Sequence, residues 1–157
     1  MPLKEELKLK KGFDIVEHEA LLNIYYTANL LKKRADAFFK TFGLTDVQFN
    51  VMTLLHHHSG PEGGLSQTRL SDMMLVNRGN ITSLVDRMEK AELVTRTAHS
   101  KDRRFNIIKL TTKGAKLFTR VEPHYLEQIR QVMSSATESE QKKLMAILEK
   151  VRANLRQ

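Results

Sequence analysis

The chain contains no cysteine. Disulfides, thiolate-ligated metals and cysteine redox sensing are thereby excluded. It also lacks an apolar run of the length that a membrane-spanning helix needs, so no membrane partner is expected. Residues 1–12 are lysine-rich and have neither the apolar stretch nor the small-residue cleavage site of a secretory signal. They are expected to form a mobile arm, and the address expected for the chain is cytoplasmic. A nucleophile-elbow pattern, a phosphate-cradling glycine loop and a convincing metal-ligand pair are missing too, which leaves no catalytic residue to nominate and no cofactor or metal to expect. His56, His57 and His58 come nearest to a metal cluster, but consecutive helical residues point in different directions and cannot converge on one ion.

What is present is an ordinary globular composition whose charge is off balance. Hydrophobic residues make up 41% and charged residues 28% of 157 positions, close to average usage and enough to bury one core. The formal net charge of +8 and a pI near 9.8 favour polyanionic partners. That charge is concentrated. From Ser66 to Lys113, under a third of the chain, ten Lys or Arg stand against five Asp or Glu, so this stretch carries +5 of the +8. Such clustering is a local electrostatic footprint, as a nucleic-acid partner would require.

Hydrophobic periodicity predicts a mainly helical chain. Leu21, Ile24, Ala28, Leu31, Ala35, Phe38 and Phe42 recur at alternating steps of three and four, a stripe on one long helix starting near Val16, and Gly43 ends it. Leu22, Tyr25, Tyr26 and Leu30 widen the stripe to more than one neighbour. Thr45 and Gln48 form a capping box ahead of Val47, Phe49, Val51, Met52, Leu54 and Leu55, and the breakers of 59–64 close that helix. Ser66 opens a further short helix through Leu70, Met73 and Met74. Asn77 caps the next, where Ile81, Leu84, Val85 and Met88 form the apolar face and Gly79, Ser83, Asp86 and Lys90 lie opposite. The β-prone runs 93–97 and 105–110, joined by polar 98–104, read as a hairpin with a basic tip. Thr111 or Thr112 caps a helix carrying Leu117, Phe118, Val121, Tyr125, Ile129 and Val132, with a kink expected at Pro123. Thr137 and Glu140 make a second capping box before the amphipathic run Leu144, Ile147, Leu148, Val151 and Leu155.

Helix, turn, helix, hairpin between long amphipathic helices is a winged helix-turn-helix order. In that order the segment Asn77-Arg78-Gly79-Asn80-Ile81-Thr82-Ser83-Leu84-Val85-Asp86-Arg87-Met88-Glu89, followed by Leu93-Val94, Asp102-Arg103-Arg104 and Lys109-Leu110-Thr111, resembles the multiple-antibiotic-resistance regulator (MarR) family over roughly Val16 to Leu155. The Thr-x-Lys-Gly at Thr111 to Gly114, the proline in the following helix and the acidic capped start of the last helix match as well. Two features depart from the pattern. Glu92 stands where the family commonly has the glycine that ends the recognition helix, so a different turn is expected there. Phe105 and Asn106 occupy wing positions where the family prefers a small residue and then an aliphatic one.

The resemblance implies a mainly α fold with a two- to three-stranded wing: one domain over 1–157, with a winged lobe at about 45–110 and dimerisation helices at about 15–42 and 112–155. It implies a homodimer that binds double-stranded DNA at a pseudopalindromic operator, acting as a ligand-responsive repressor. A helix entering the major groove needs a polar, uncrowded face near its N-terminus. Asn77, Arg78, Gly79, Asn80, Thr82 and Ser83 offer that face, with Arg87 on phosphate. Arg103 and Arg104 are assigned to a minor groove, Asp102 to holding one guanidinium, Lys101 to phosphate, and Gln67 and Thr68 to the DNA backbone. The resemblance also implies a small aromatic or anionic ligand between the dimer helices and the winged lobe, where His18, Tyr25 and Tyr26 would contribute. The alternative that the residues leave open is a winged-helix module that uses the same face for a protein partner and does not read DNA.

Overall fold

The computed structural model describes residues 2–74, 78–99 and 106–156, with backbone alone at Arg78. In chain order the elements are α1 (Leu3–Glu6), α2 (Val16–Lys40), α3 (Asp46–His57), β1 (Leu65–Ser66), α4 (Gln67–Met74), α5 (Arg78–Lys90), β2 (Val94–Ala98), β3 (Asn106–Leu110), α6 (Thr112–Met133) and α7 (Glu138–Asn154). The chain divides into two compact units, residues 1–114 and residues 115–157. Among the described residues no helix is long and apolar enough to cross a membrane.

In the first unit the core is built by α3, α4, α5 and the sheet. Phe49, Val51, Met52 and Leu55 of α3, Leu70 of α4, and Ile81, Leu84, Val85 and Met88 of α5 are buried together with Leu93, Val94, Ile107 and Ile108. Burial of each such side chain contributes about 2 kcal/mol, which makes the apolar face of α5 the reason its other face points outward. Thr45 caps α3 reciprocally: its hydroxyl accepts from the Gln48 N–H at 3.2 Å, while its own N–H donates to the Gln48 side chain at 2.9 Å.

The sheet is antiparallel in the order β1-β3-β2. Val94 pairs with Leu110 and Ala98 with Asn106, while Leu65 and Ser66 pair with Ile108 and Ile107. The hairpin strands fall within a residue of their expected places. The third strand, β1, has two residues, too few for any period to show. It can approach β3 because Gly64 has no side chain: a Cβ there would lie 2.2 Å from the Ile108 carbonyl oxygen.

The N-terminal segment differs from the expected arm. Leu3–Glu6 form a helical turn in which the Pro2 carbonyl accepts from Glu5 and Glu6, and Leu3 is buried. One apolar side chain anchors a stretch whose lysine content dominates its composition. The stripe on α2 is also unlike a core stripe. Leu21 and Leu31 are each 45% exposed, and the buried residue of α2 is Phe39, whose ring stacks on Phe49 at 4.7 Å. Gly43, at φ +70, turns the chain out of the helix as expected.

In the second unit α6 is continuous through Pro123, with Phe118 and Val121 buried. Thr137 and Glu140 close the predicted capping box at the start of α7.

Candidate nucleic-acid interface

Helix α5 presents the surface that matters. With Ile81, Leu84, Val85 and Met88 facing the core, Gly79, Asn80, Thr82, Ser83 and Arg87 are exposed on the other side. The face near its N-terminus is therefore small and polar, as a groove-entering helix requires. Helix α4 supports it. The Ser66 hydroxyl accepts from the Arg69 N–H at 3.1 Å and starts the helix, and Gln67 donates to the Thr82 hydroxyl at 3.0 Å, tying the first turn of α4 to α5. Gln67 and Thr68 are half-buried, and Gln67 stands against α5. The structure thus brings Gln67, Thr68, Gly79, Asn80, Thr82, Ser83 and Arg87 into one region. Asn77, Lys101, Asp102, Arg103 and Arg104 lie outside the described residues, as does Phe105, and only the backbone of Arg78 is described.

The residue that sequence reasoning passed over is Arg96 in β2. Its guanidinium donates to Asp86 and to Glu89 of α5, each at 2.5 Å, and its backbone N–H donates to the other Glu89 oxygen at 3.0 Å. Desolvation opposes its charge, but the hydrogen bonds to Asp86 and Glu89 outweigh that and raise the guanidinium pKa above its ordinary value. Asp86 and Glu89 lie three residues apart on one edge of α5, a spacing that invites a shared cation, but the cation comes from another element and no local pattern points to it.

The end of α5 resolves the departure at Glu92. This residue adopts φ +59. Its N–H donates to the Glu89 carbonyl and that of Leu93 to the Met88 carbonyl, the paired bonds of a Schellman turn. A glycine-type turn is thus retained with a glutamate in it. Its carboxylate, held below the ordinary range by a hydrogen bond and the charge of Lys113 at 2.9 Å, links α5 to the start of α6. Thr111 is the cap of α6: its hydroxyl donates to the Glu92 carbonyl at 2.6 Å and accepts from the Gly114 N–H at 3.0 Å. Gly114 is required because a Cβ there would lie 2.0 Å from the Leu93 carbonyl oxygen. The threonine and glycine of the Thr-x-Lys-Gly pattern thus join the end of α5, the start of β2 and residues 111–114.

Of the residues assigned to a ligand, His18 and Tyr25 are exposed and Tyr26 is half-buried. The His18 ring meets Phe13 edge-on at 5.8 Å. An open cavity of about 470 Å³ beside Gly60, Pro61, Leu65, Thr68, Arg69, His99 and Ile107 is lined by none of the three.

Comparison with known proteins agrees with this architecture. A model of the MarR family matches residues 44–105. The HTH-type transcriptional regulator MhqR of Bacillus subtilis (strain 168) is 31% identical over 115 residues, covering 73% of this chain and 77% of that one. Among solved structures, the MepR–DNA complex of S. aureus shares the fold with a TM-score of 0.76 at 23% identity, over 84% of this chain and 93% of that one. The organohalide-sensing RdhR regulator in its 2,4-dichlorophenol-bound form does so with a TM-score of 0.78 at 21% identity, over 93% of this chain and 87% of that one. The 31% identity to MhqR over 73% of this chain, with helices α4 and α5 beside the three-stranded sheet, establishes that the chain belongs to the MarR family of transcriptional regulators.

Proposed function

We propose that the chain is a sequence-specific DNA-binding transcriptional regulator that acts as a cytoplasmic homodimer on a pseudopalindromic operator, one domain with a winged lobe between dimerisation helices. The observation that carries the reading is α5, whose buried Ile81, Leu84, Val85 and Met88 leave Gly79, Asn80, Thr82 and Ser83 outward in the most basic third of the chain. In this reading Arg78, Asn80, Thr82 and Ser83 meet base edges or nearby phosphate, Asn77 belongs to the same DNA-binding stretch as the helix cap, Gly79 lets the backbone approach, and Arg87 takes phosphate. Arg103 and Arg104 enter the flanking minor groove with Asp102 orienting one of them. Lys101, Gln67 and Thr68 meet the backbone. A solved structure of the same fold holds DNA, which supports the assignment.

The regulator is a repressor released by a small aromatic or anionic ligand, and it catalyses no reaction. Support for the ligand comes from the dichlorophenol-bound neighbour, and His18, Tyr25 and Tyr26 are the residues assigned to it. Selection of duplexes from a random DNA pool tests the DNA reading directly. Enrichment of an inverted repeat, bound with a steep salt dependence, is the expected result. Failure to enrich any sequence would overturn it and favour a protein partner for the same face.

A further inference from the structure

The outward flank of α5 carries two groups that oppose a polyanion, Asp86 and Glu89. Their side chains are 50% and 39% exposed, and both belong to the helix that presents Thr82 and Ser83. A bare carboxylate near a phosphate repels it, and the repulsion is strongest where water is displaced. Both carboxylates meet the single guanidinium of Arg96, which is 19% exposed and held on β2 by the register that pairs it with Ile108 of β3. The two arms of the fork take one carboxylate each, and the second arm also approaches the Thr82 carbonyl at 3.5 Å. Partly exposed ion pairs add little to stability. Their consequence lies in the field that a partner meets.

We propose that Arg96 is a positioning residue for DNA recognition, which masks Asp86 and Glu89 so that the exposed face of α5 can lie against phosphate. The proposal rests on the DNA-binding reading above. Arg96 acts through the two carboxylates. Its planar fork suits the task, since it spans two acceptors where an ammonium would serve one. The masking also makes the basic excess of this region effective, because Arg87 and Lys90 on the same helix are not left beside bare acids.

The test uses the full chain and a duplex that the wild-type protein enriches from a random pool, with affinity read by fluorescence anisotropy across salt concentrations and folding read by circular dichroism. Arg96→Gln is expected to weaken binding about tenfold at low salt, with the deficit narrowing as salt rises, because the lost masking is electrostatic. Adding Asp86→Asn and Glu89→Gln to Arg96→Gln is expected to restore affinity to within about threefold of wild type or above it. A deficit that does not change with salt and is not restored in the triple variant would make Arg96 merely structural and overturn the proposal. Should Arg96→Gln fail to fold, Arg96→Lys decides the matter at constant charge: weaker binding that Asp86→Asn/Glu89→Gln restores supports masking, and wild-type affinity, or a deficit that those changes do not restore, refutes it. A pool from which the wild-type chain enriches nothing overturns the DNA reading itself, and the Arg96 assignment with it.

Discussion

Guanidinium groups at the start of a recognition helix and in a flanking wing act differently on a duplex, because one reads base edges and the other meets a potential common to all sequences. Arg78→Ala is therefore expected to reduce discrimination between the enriched duplex and a scrambled one. Arg104→Ala is expected to weaken binding to both and to flatten the salt slope by about one charge. Competition binding at several salt concentrations separates the two, and unchanged affinity in both variants would dismiss the assigned face. Gly114 makes a prediction about stability alone. A methyl group there meets a backbone oxygen that three other constraints hold, the α5 turn, the β2 start and the Thr111 N–H bond to Leu93 at 3.1 Å. Gly114→Ala should cost about 2 kcal/mol, seen as a lower unfolding midpoint. The threonine and glycine were visible as a pattern in the sequence, but the reason for the glycine was not, since the oxygen it accommodates belongs to residue 93.

Among the elements, two helices begin with the same reciprocal cap built from different acceptors. On α3 the partner of Thr45 is Gln48, which does not titrate. On α7 the partner of Thr137 is Glu140, whose carboxylate accepts from the Thr137 hydroxyl at 2.7 Å and N–H at 2.8 Å. The hydroxyl bond and then the backbone bond hold its pKa below the ordinary glutamate range. A depressed carboxyl pKa means that the unfolded chain takes up the proton first as pH falls. Stabilisation from this cap is thus complete above the ordinary glutamate range and is lost as pH drops through the depressed value. Thr45→Ala should cost about 1 kcal/mol at any pH in that range. The penalty of Thr137→Ala should shrink with acidification, and thermal unfolding of both variants and wild type across pH checks the contrast. An equal pH dependence in the two would refute it. Both boxes were legible in the sequence because a cap is a contact between residues three apart. Strand β1 was not, because two residues carry no period and its pairing with β3 spans more than forty positions.

Across the whole molecule, the long helices leave much apolar surface in water. Leu21, Leu30 and Leu31 on α2, and Leu144, Met145 and Ile147 on α7, are each at least 45% exposed, a pattern that a second chain would cover. Sedimentation at micromolar concentration should give about twice 18.1 kDa, and Leu144→Glu with Ile147→Glu should shift the chain to monomer. A stable wild-type monomer would overturn the dimeric reading. The sequence by itself determined what depends on near neighbours: the helix periods, both capping boxes, the glycine that ends α2, the outward face of α5 and the concentration of positive charge. It also carried the pattern of the family, since residue types at fixed spacing survive without coordinates. Tertiary structure alone decided that Phe39 rather than the α2 stripe is buried, that Glu92 keeps a left-handed turn, that Gly64 and Gly114 sit against carbonyl oxygens, and that Arg96 closes over Asp86 and Glu89. Each of these depends on groups brought together from distant positions or different elements, where packing and charge, not local preference, set the arrangement.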